Sequence, residues 1–219
     1  MKNKIVFMVF LFALFTGGKA FSQHIAPQDL DKFHIMEDSL RITADSMYDA
    51  FLPDTHISYS ERFAGQLIRA LKIPNSYYYP FDSLSKLINI IYADDNSFRM
   101  FNWEITPSNV TKRYYGAIQM PQEKLKLYGL IDYTDQLGKG EEDSVLTNHK
   151  WFGAIYYRIM PHEVKGKKVY TLFGFNAAGP ISNKKVLDAL TIDEHGTTFG
   201  APIFAVASNN FPGQRINRF

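Results

Sequence analysis

The chain has 219 residues, 46% of them apolar and 15% aromatic, with 24 basic side chains against 22 acidic ones. This length is enough for one sizeable domain with its own core. The complete lack of cysteine excludes a disulfide framework, thiolate-bound zinc or iron–sulfur centres, and cysteine nucleophiles.

The first element in chain order is a leader. Lys2 and Lys4 precede an unbroken apolar run, Ile5 to Phe15, followed by Thr16, Gly17 and Gly18. A secretory h-region spans roughly 7–15 residues, whereas a membrane-crossing helix needs about 20. Ala20-Phe21-Ser22 then offers small residues for cleavage, so residues 1–22 read as a signal peptide removed before Gln23. The leader holds Lys2, Lys4 and Lys19 and no acid, so its removal takes the formal charge from +2 to −1. The basicity therefore belongs to the leader and implies no nucleic-acid partner. The leader has no cysteine to carry a lipid anchor, which argues against a bacterial lipoprotein, and no later apolar run has membrane-spanning length. The expected location is periplasmic or extracellular.

Residues 23–79 read as a helical segment. Leu30, Phe33, Met36, Leu40, Met47 and Phe51 recur mostly at three- and four-residue steps, which predicts a helix over about 28–52. Leu52-Pro53-Asp54 ends it, because proline disfavours helical geometry in the residue before it. Ser58-Tyr59-Ser60-Glu61 fits a capping box opening a second helix over about 59–72, with Phe63, Leu67, Ile68 and Leu71 on its apolar face.

Residues 80–219 read as a β-rich region of the same domain. Phe81 to Leu84 suggests a short helical turn; Leu87–Tyr92 and Phe98–Ile105 then read as strands around the turn residues Asp94-Asp95-Asn96. In the second strand Phe98, Met100 and Glu104 fall on one face, and Arg99, Phe101, Trp103 and Ile105 on the other. Further strands are expected over 114–120, 125–133, 149–160, 168–176 and 198–204, separated by turns at Gly138-Lys139-Gly140, Lys165-Gly166-Lys167 and Glu194-His195-Gly196. Asn183 to Leu190 fits a short helix capped by Ser182, with a strand as the alternative. Arg215 to Phe219 reads as the opening of a strand, either one that closes a sheet or the start of a truncated one.

Two stretches echo each other. Tyr114-Tyr115-Gly116-Ala117-Ile118 and Trp151-Phe152-Gly153-Ala154-Ile155 each precede a Pro-x-Glu and a glycine-bearing strand. A degenerate third copy begins at Phe199-Gly200, so Gly116, Gly153 and Gly200 lie 37 and 47 residues apart. A period near 40 suits a repeated hairpin, as in a propeller blade, though aromatic-rich strands also resemble one another by common patterning.

Candidate chemistry is thin. His162-Glu163 and Asp193-Glu194-His195-Gly196 each offer one histidine beside acids, short of a metal-ligand spacing, and both read as turns. No nucleophile elbow or phosphate loop is present. No catalytic residue, metal ligand or cofactor is therefore assigned. Glu104, Glu123, Asp132 and Glu163 are the carboxylates to inspect for glycoside-type hydrolysis. The aromatic pairs place one ring on each side of a strand, which suits either core packing or a stacking platform. Trp151, Tyr156, Tyr115 and Trp103 are the candidate ligand-binding residues, with a glycan or an envelope protein as partner. Asp38-Ser39, Asp45-Ser46, Asp82-Ser83 and Asp143-Ser144, each followed by an aliphatic residue or Met, also look like exported-protein O-glycosylation sites or, in the first two cases, a polar helix face.

The segments Asp95-Asn96-Ser97-Phe98-Arg99-Met100-Phe101-Asn102-Trp103, Lys150-Trp151-Phe152-Gly153-Ala154-Ile155-Tyr156-Tyr157 and Ser182-Asn183-Lys184-Lys185 resemble, in that order, uncharacterised exported proteins of Bacteroidota. The resemblance covers about residues 80–204 and implies a periplasmic or extracellular β-rich protein without assigning any activity. The expected fold is α+β: N-terminal helices, then a mostly antiparallel β-rich region with repeated hairpins, propeller-like or incomplete at its C-terminus. The expected function is non-catalytic binding or scaffolding in the cell envelope; the alternative is a hydrolase of glycan or envelope material acting through carboxylates.

Overall fold

In the computed structural model the described residues are 25–108, 111–138, 141–177, 183–205 and 214–218. The leader, the Lys139-Gly140 turn, Ser182 and Phe219 lie outside them. The fold is α+β. Two helices, α1 (Pro27–Asp49) and α2 (Pro53–Leu71), precede an antiparallel meander of β1 (Asn89–Tyr92), β2 (Arg99–Ser108), β3 (Thr111–Gln119) and β4 (Leu127–Ile131). After a single helical turn, α3 (Thr134–Leu137), come β5 (Leu146–Thr147), β6 (Ile155–Val164), β7 (Lys167–Ala177), β8 (Asn183–Asp193) and β9 (Gly196–Phe199), which form a second antiparallel sheet in the order β5-β9-β8-β7-β6. Two short strands, β10 (Phe204–Ala205) and β11 (Arg215–Ile216), pair with each other.

The layering follows from the alternation in β2. Phe101, Trp103 and Ile105 pack with Phe33, Leu40, Met47, Phe63 and Leu67 of the helices, while Phe98 and Met100 pack with Trp151 and with Tyr156, Leu172 and Leu190 of the second sheet. The first sheet is thus the middle layer, and β2 is apolar on both faces because both are covered.

Helix α1 ends at Asp49, so Phe51 falls outside it and is 95% exposed rather than on the apolar face. Helix α2 begins six residues before the position expected from the capping box. Pro53 opens it because a first-turn proline has its φ preset and needs no N–H bond. Ser58 therefore lies inside the helix, where its hydroxyl donates to Asp54 O at 2.9 Å, and caps nothing. His56 meets Met47 O and Gln66 meets the Ser39 hydroxyl, so the helices run antiparallel.

The segment 183–190 is strand, not helix. β8 lies between β7 and β9, and its Val186, Ala189 and Leu190 are buried by those neighbours; tertiary pairing overrides the weak local signal. His162-Glu163 is likewise not in a turn. It lies in β6 opposite Val169 and Lys168, and the reversal is made by Lys165 and Gly166, both at positive φ (52° and 75°), as a two-residue hairpin requires. Pro161 is tolerated because β6 is an edge strand.

The echoing stretches both feed antiparallel hairpins, β3–β4 and β6–β7, but they are not equivalent in detail. Gly116 lies in the middle of β3, while residues 151–154 form no strand ladder. That second segment is buried, so its polar backbone needs partners. Trp151 N donates to Ile131 O and Trp151 O accepts from Tyr133 N, while Thr134 Oγ1 accepts from Gly153 N at 2.9 Å and Asn176 Nδ2 donates to Gly153 O. Gly153 has no room for a side chain: a Cβ there would stand 2.6 Å from Asp132 Oδ1 and 2.7 Å from Tyr114 Cδ2. Gly200, at φ 93°, ends β9 and divides the expected strand 198–204.

Three buried polar groups lock the layers. Glu37 of α1 accepts from Tyr79 Oη at 2.6 Å, Ser83 N at 2.8 Å, Ser83 Oγ at 2.7 Å and Leu84 N at 2.9 Å. Burial raises its pKa, but these bonds to the charged form outweigh it and hold the carboxyl below its ordinary value. Arg99 is fully buried among Tyr77, Phe81, Tyr92 and Phe101 and donates to Gln119 Oε1, Tyr79 O, Tyr92 Oη and Ser76 O. It ties the segment Ser76-Tyr77-Tyr78-Tyr79 to the first sheet. Asp188 of β8 accepts from Arg218 Nε at 2.9 Å, both side chains being buried, which docks residues 214–218 onto the second sheet.

Candidate functional site

Among the described residues a cleft of about 550 Å³ lies beside β4. One wall is α2, through Ala64, Leu67 and Ile68; the other is the β8–β9 turn, through His195 and Gly196. Trp103 and Tyr115 lie at its floor, and Asn148 and His149 at one rim. All five residues of β4 line it. Successive strand side chains point to opposite faces, so a cleft touching every residue of a strand runs along the strand's edge.

β4 is that edge, being last in the sheet order. The groove exists because α2 covers β2 but leaves the β3–β4 side of the sheet partly uncovered: Ile68 is 41% and Ile131 55% exposed. Small residues deepen it. Ala117 stands opposite Gly129, and a Cβ at Gly129 would meet nothing within 4 Å. The Trp103 and Tyr115 rings stack at 5.5 Å and 8°, and Phe63 meets the Trp103 ring edge-on. Trp103 Nε1 donates to Ser60 Oγ at 2.9 Å, which fixes the indole.

Of the four aromatics singled out from the sequence, Trp103 and Tyr115 therefore meet at this cleft. Trp151 and Tyr156 are fully buried between the sheets, where Trp151 Nε1 donates to Tyr156 Oη and that hydroxyl donates to Asp188. No ligand reaches them without opening the core. The pairing rule sorts the others: Tyr114 faces the second sheet and Tyr115 the helices, while Tyr156 is buried and Tyr157 is 57% exposed.

Of the four candidate carboxylates, only Asp132 lines a second, polar cleft of about 410 Å³, where it joins two other carboxylates, Glu61 and Asp135, with Lys112 and Arg113. Asp132 is already engaged, accepting from Tyr114 N, Thr134 N and Thr134 Oγ1. Glu104 pairs with Lys112, and Glu123 and Glu163 are exposed on a turn and an edge strand. Among the described residues no group of three or more His, Asp or Glu side chains is placed to hold a metal ion. No helix among them is long and apolar enough to cross a membrane.

The serines of the Asp-Ser pattern differ in setting. Ser39 and Ser46 lie in α1, where Ser39 Oγ accepts from Gln66 and Ser46 Oγ donates to Ile42 O; Ser83 is held by Glu37.

Ala64, Ile68, Ala117, Gly129, Asn148 and His195 come to the cleft from five separate parts of the chain. Ile68, Ala117 and His195 each stand out in the sequence for another reason, and nothing there joins them. Comparison with protein-family models, with curated proteins and with solved structures gives no significant match.

Proposed function

We propose that this is an exported, non-catalytic binding protein of the cell envelope, of the Bacteroidota type its sequence resembles, and that it takes an apolar ligand in the β4 cleft. The observation that carries the reading is the cleft itself: an apolar groove floored by the Trp103–Tyr115 stack and free of carboxylates. Binding sites of this kind are mostly apolar with a few placed polar groups, and here Asn148, His149 and His195 supply those at the rim. For the alternative, a hydrolase acting through carboxylates, no two of Glu104, Glu123, Asp132 and Glu163 line the same cleft, and the polar cleft that Asp132 shares with Glu61 and Asp135 is where it would act.

The test is titration with the apolar dye 1-anilinonaphthalene-8-sulfonate and, separately, with envelope glycan fragments, followed by backbone amide NMR. The expected result is saturable perturbation confined to Trp103, Tyr115, Gly116 and the β4 residues. Gly129→Phe places a ring in the open space beside Ala117 and should abolish it without lowering the melting temperature. Perturbation centred elsewhere would overturn the reading.

A further inference from the structure

The edge of β4 carries an ordered set of open backbone groups. In an antiparallel pair, residues alternate between bonding their partner and pointing away from it. Two observations fix the phase. Met120 N donates to Lys126 O at 3.0 Å, so the pairs of Gly116 with Leu130 and of Ile118 with Tyr128 are the bonded ones. Ile131 N donates outward to Asn148 O at 2.8 Å, and Ile131 O accepts outward from Trp151 N at 2.9 Å. Leu127 and Gly129 share the outward phase of Ile131. Gly129 O accepts from Asn148 Nδ2, whereas Gly129 N–H and both backbone groups of Leu127 have no intramolecular partner among the described residues.

This edge is already engaged at one end. Residues 148–151 meet it through a turn, closed by Lys150 N donating to Thr147 O at 3.0 Å, and the Asp132–Trp151 bridge that follows is parallel. They then leave the N-terminal half of β4 uncovered, since Leu146 and Thr147 pair instead with β9. The uncovered half borders the cleft between α2 and the β8–β9 turn.

We propose that the ligand of the cleft is an extended polypeptide segment that continues this pairing, bonding Leu127 and Gly129 and placing an apolar side chain over Gly129 and Ala117. This rests on the reading of the cleft as a binding site and adds the class of ligand. Only a peptide backbone repeats donors and acceptors at the strand spacing, and such edge addition is a general mode of peptide capture. The open stretch admits about three residues, roughly 10 Å at the strand rise.

The test uses the pentapeptide acetyl-Thr-Val-Thr-Val-Thr-amide at millimolar concentration, the same peptide N-methylated at its three central amides, and the dye named above. The peptide should shift the Leu127 and Gly129 amides and slow their hydrogen exchange. N-methylation should weaken binding by about tenfold or more, as should Gly129→Pro, since each removes backbone hydrogen bonds. The Gly129 N–H points outward and its Cβ position is open, so this proline should leave the melting temperature nearly unchanged. Should Gly129→Pro fail to fold, the N-methylated peptide decides alone. Equal binding of both peptides, or dye binding with no peptide binding, overturns edge pairing and leaves the cleft reading standing. Concentration-dependent shifts of the same amides without peptide, with a dimer in sedimentation, assign the edge to a second copy and also overturn it. If neither peptide nor dye perturbs the cleft, both readings fail.

Discussion

Replacing Glu37 by glutamine tests how the helices are fastened to the first sheet. The carboxylate accepts from two hydroxyls and two backbone N–H groups, all within 2.6–2.9 Å. A hydrogen bond to a charged group contributes about 1.5–3 kcal/mol, against about 0.5–1.5 for a neutral one. The amide oxygen keeps the Ser83 and Leu84 bonds in neutral form, and the Tyr79 hydroxyl must turn to accept from the new NH2. Four weakened bonds, offset in part by the relieved desolvation of the charge, give a loss of about 2–3 kcal/mol near pH 7. The pH dependence gives a second check. The folded carboxyl titrates below its ordinary value of 4.5, so its stabilisation is fully present above that pH and is lost as pH falls through the folded pKa. Urea unfolding of both proteins at about pH 7 and about pH 3 measures this, and the difference should shrink at the lower pH. A cost under about 0.5 kcal/mol at neutral pH, within the range of ordinary surface substitutions, would refute the reasoning. So would a gap that stays constant on acidification.

The other predictions address the core and the processing of the chain. Gly153→Ala forces a Cβ to within 2.6 Å of Asp132 and should cost about 1–3 kcal/mol in urea unfolding. Asp188→Ala leaves the Arg218 guanidinium buried without its carboxylate and should cost about 3–5 kcal/mol; the amides of residues 215–218 should then exchange at denatured-chain rates. Tyr115→Ala should weaken dye binding at the cleft more than Tyr157→Ala does, because Tyr115 lines the cleft and Tyr157 does not. Expression of the full chain in a Gram-negative host, with mass spectrometry of the product, should show an N-terminus at Gln23.

Much of the fold was legible because its signals are local and periodic. The faces of β2 were readable from alternation alone: Phe98 and Met100 go to one core and Phe101, Trp103 and Ile105 to the other. The hairpin turns were legible where positive φ was demanded, as at Lys165 and Gly166. The errors fall where tertiary context outweighs local preference. Residues 183–193 become strand because β7 and β9 flank them, and Trp151 and Phe152 are both buried because their segment leaves the strand ladder.

The sequence by itself determined the order of helices before strands, the absence of any disulfide, and the residues rich enough in apolar area to make two cores. Those follow from composition and period, which short windows contain. Only the tertiary structure decided that Trp103 and Tyr115 share a cleft while Trp151 and Tyr156 are sealed away, that Arg99 lies among aromatics, and that β4 keeps a partly open edge. Each of these depends on which layer covers which face, and no window of the chain carries that information.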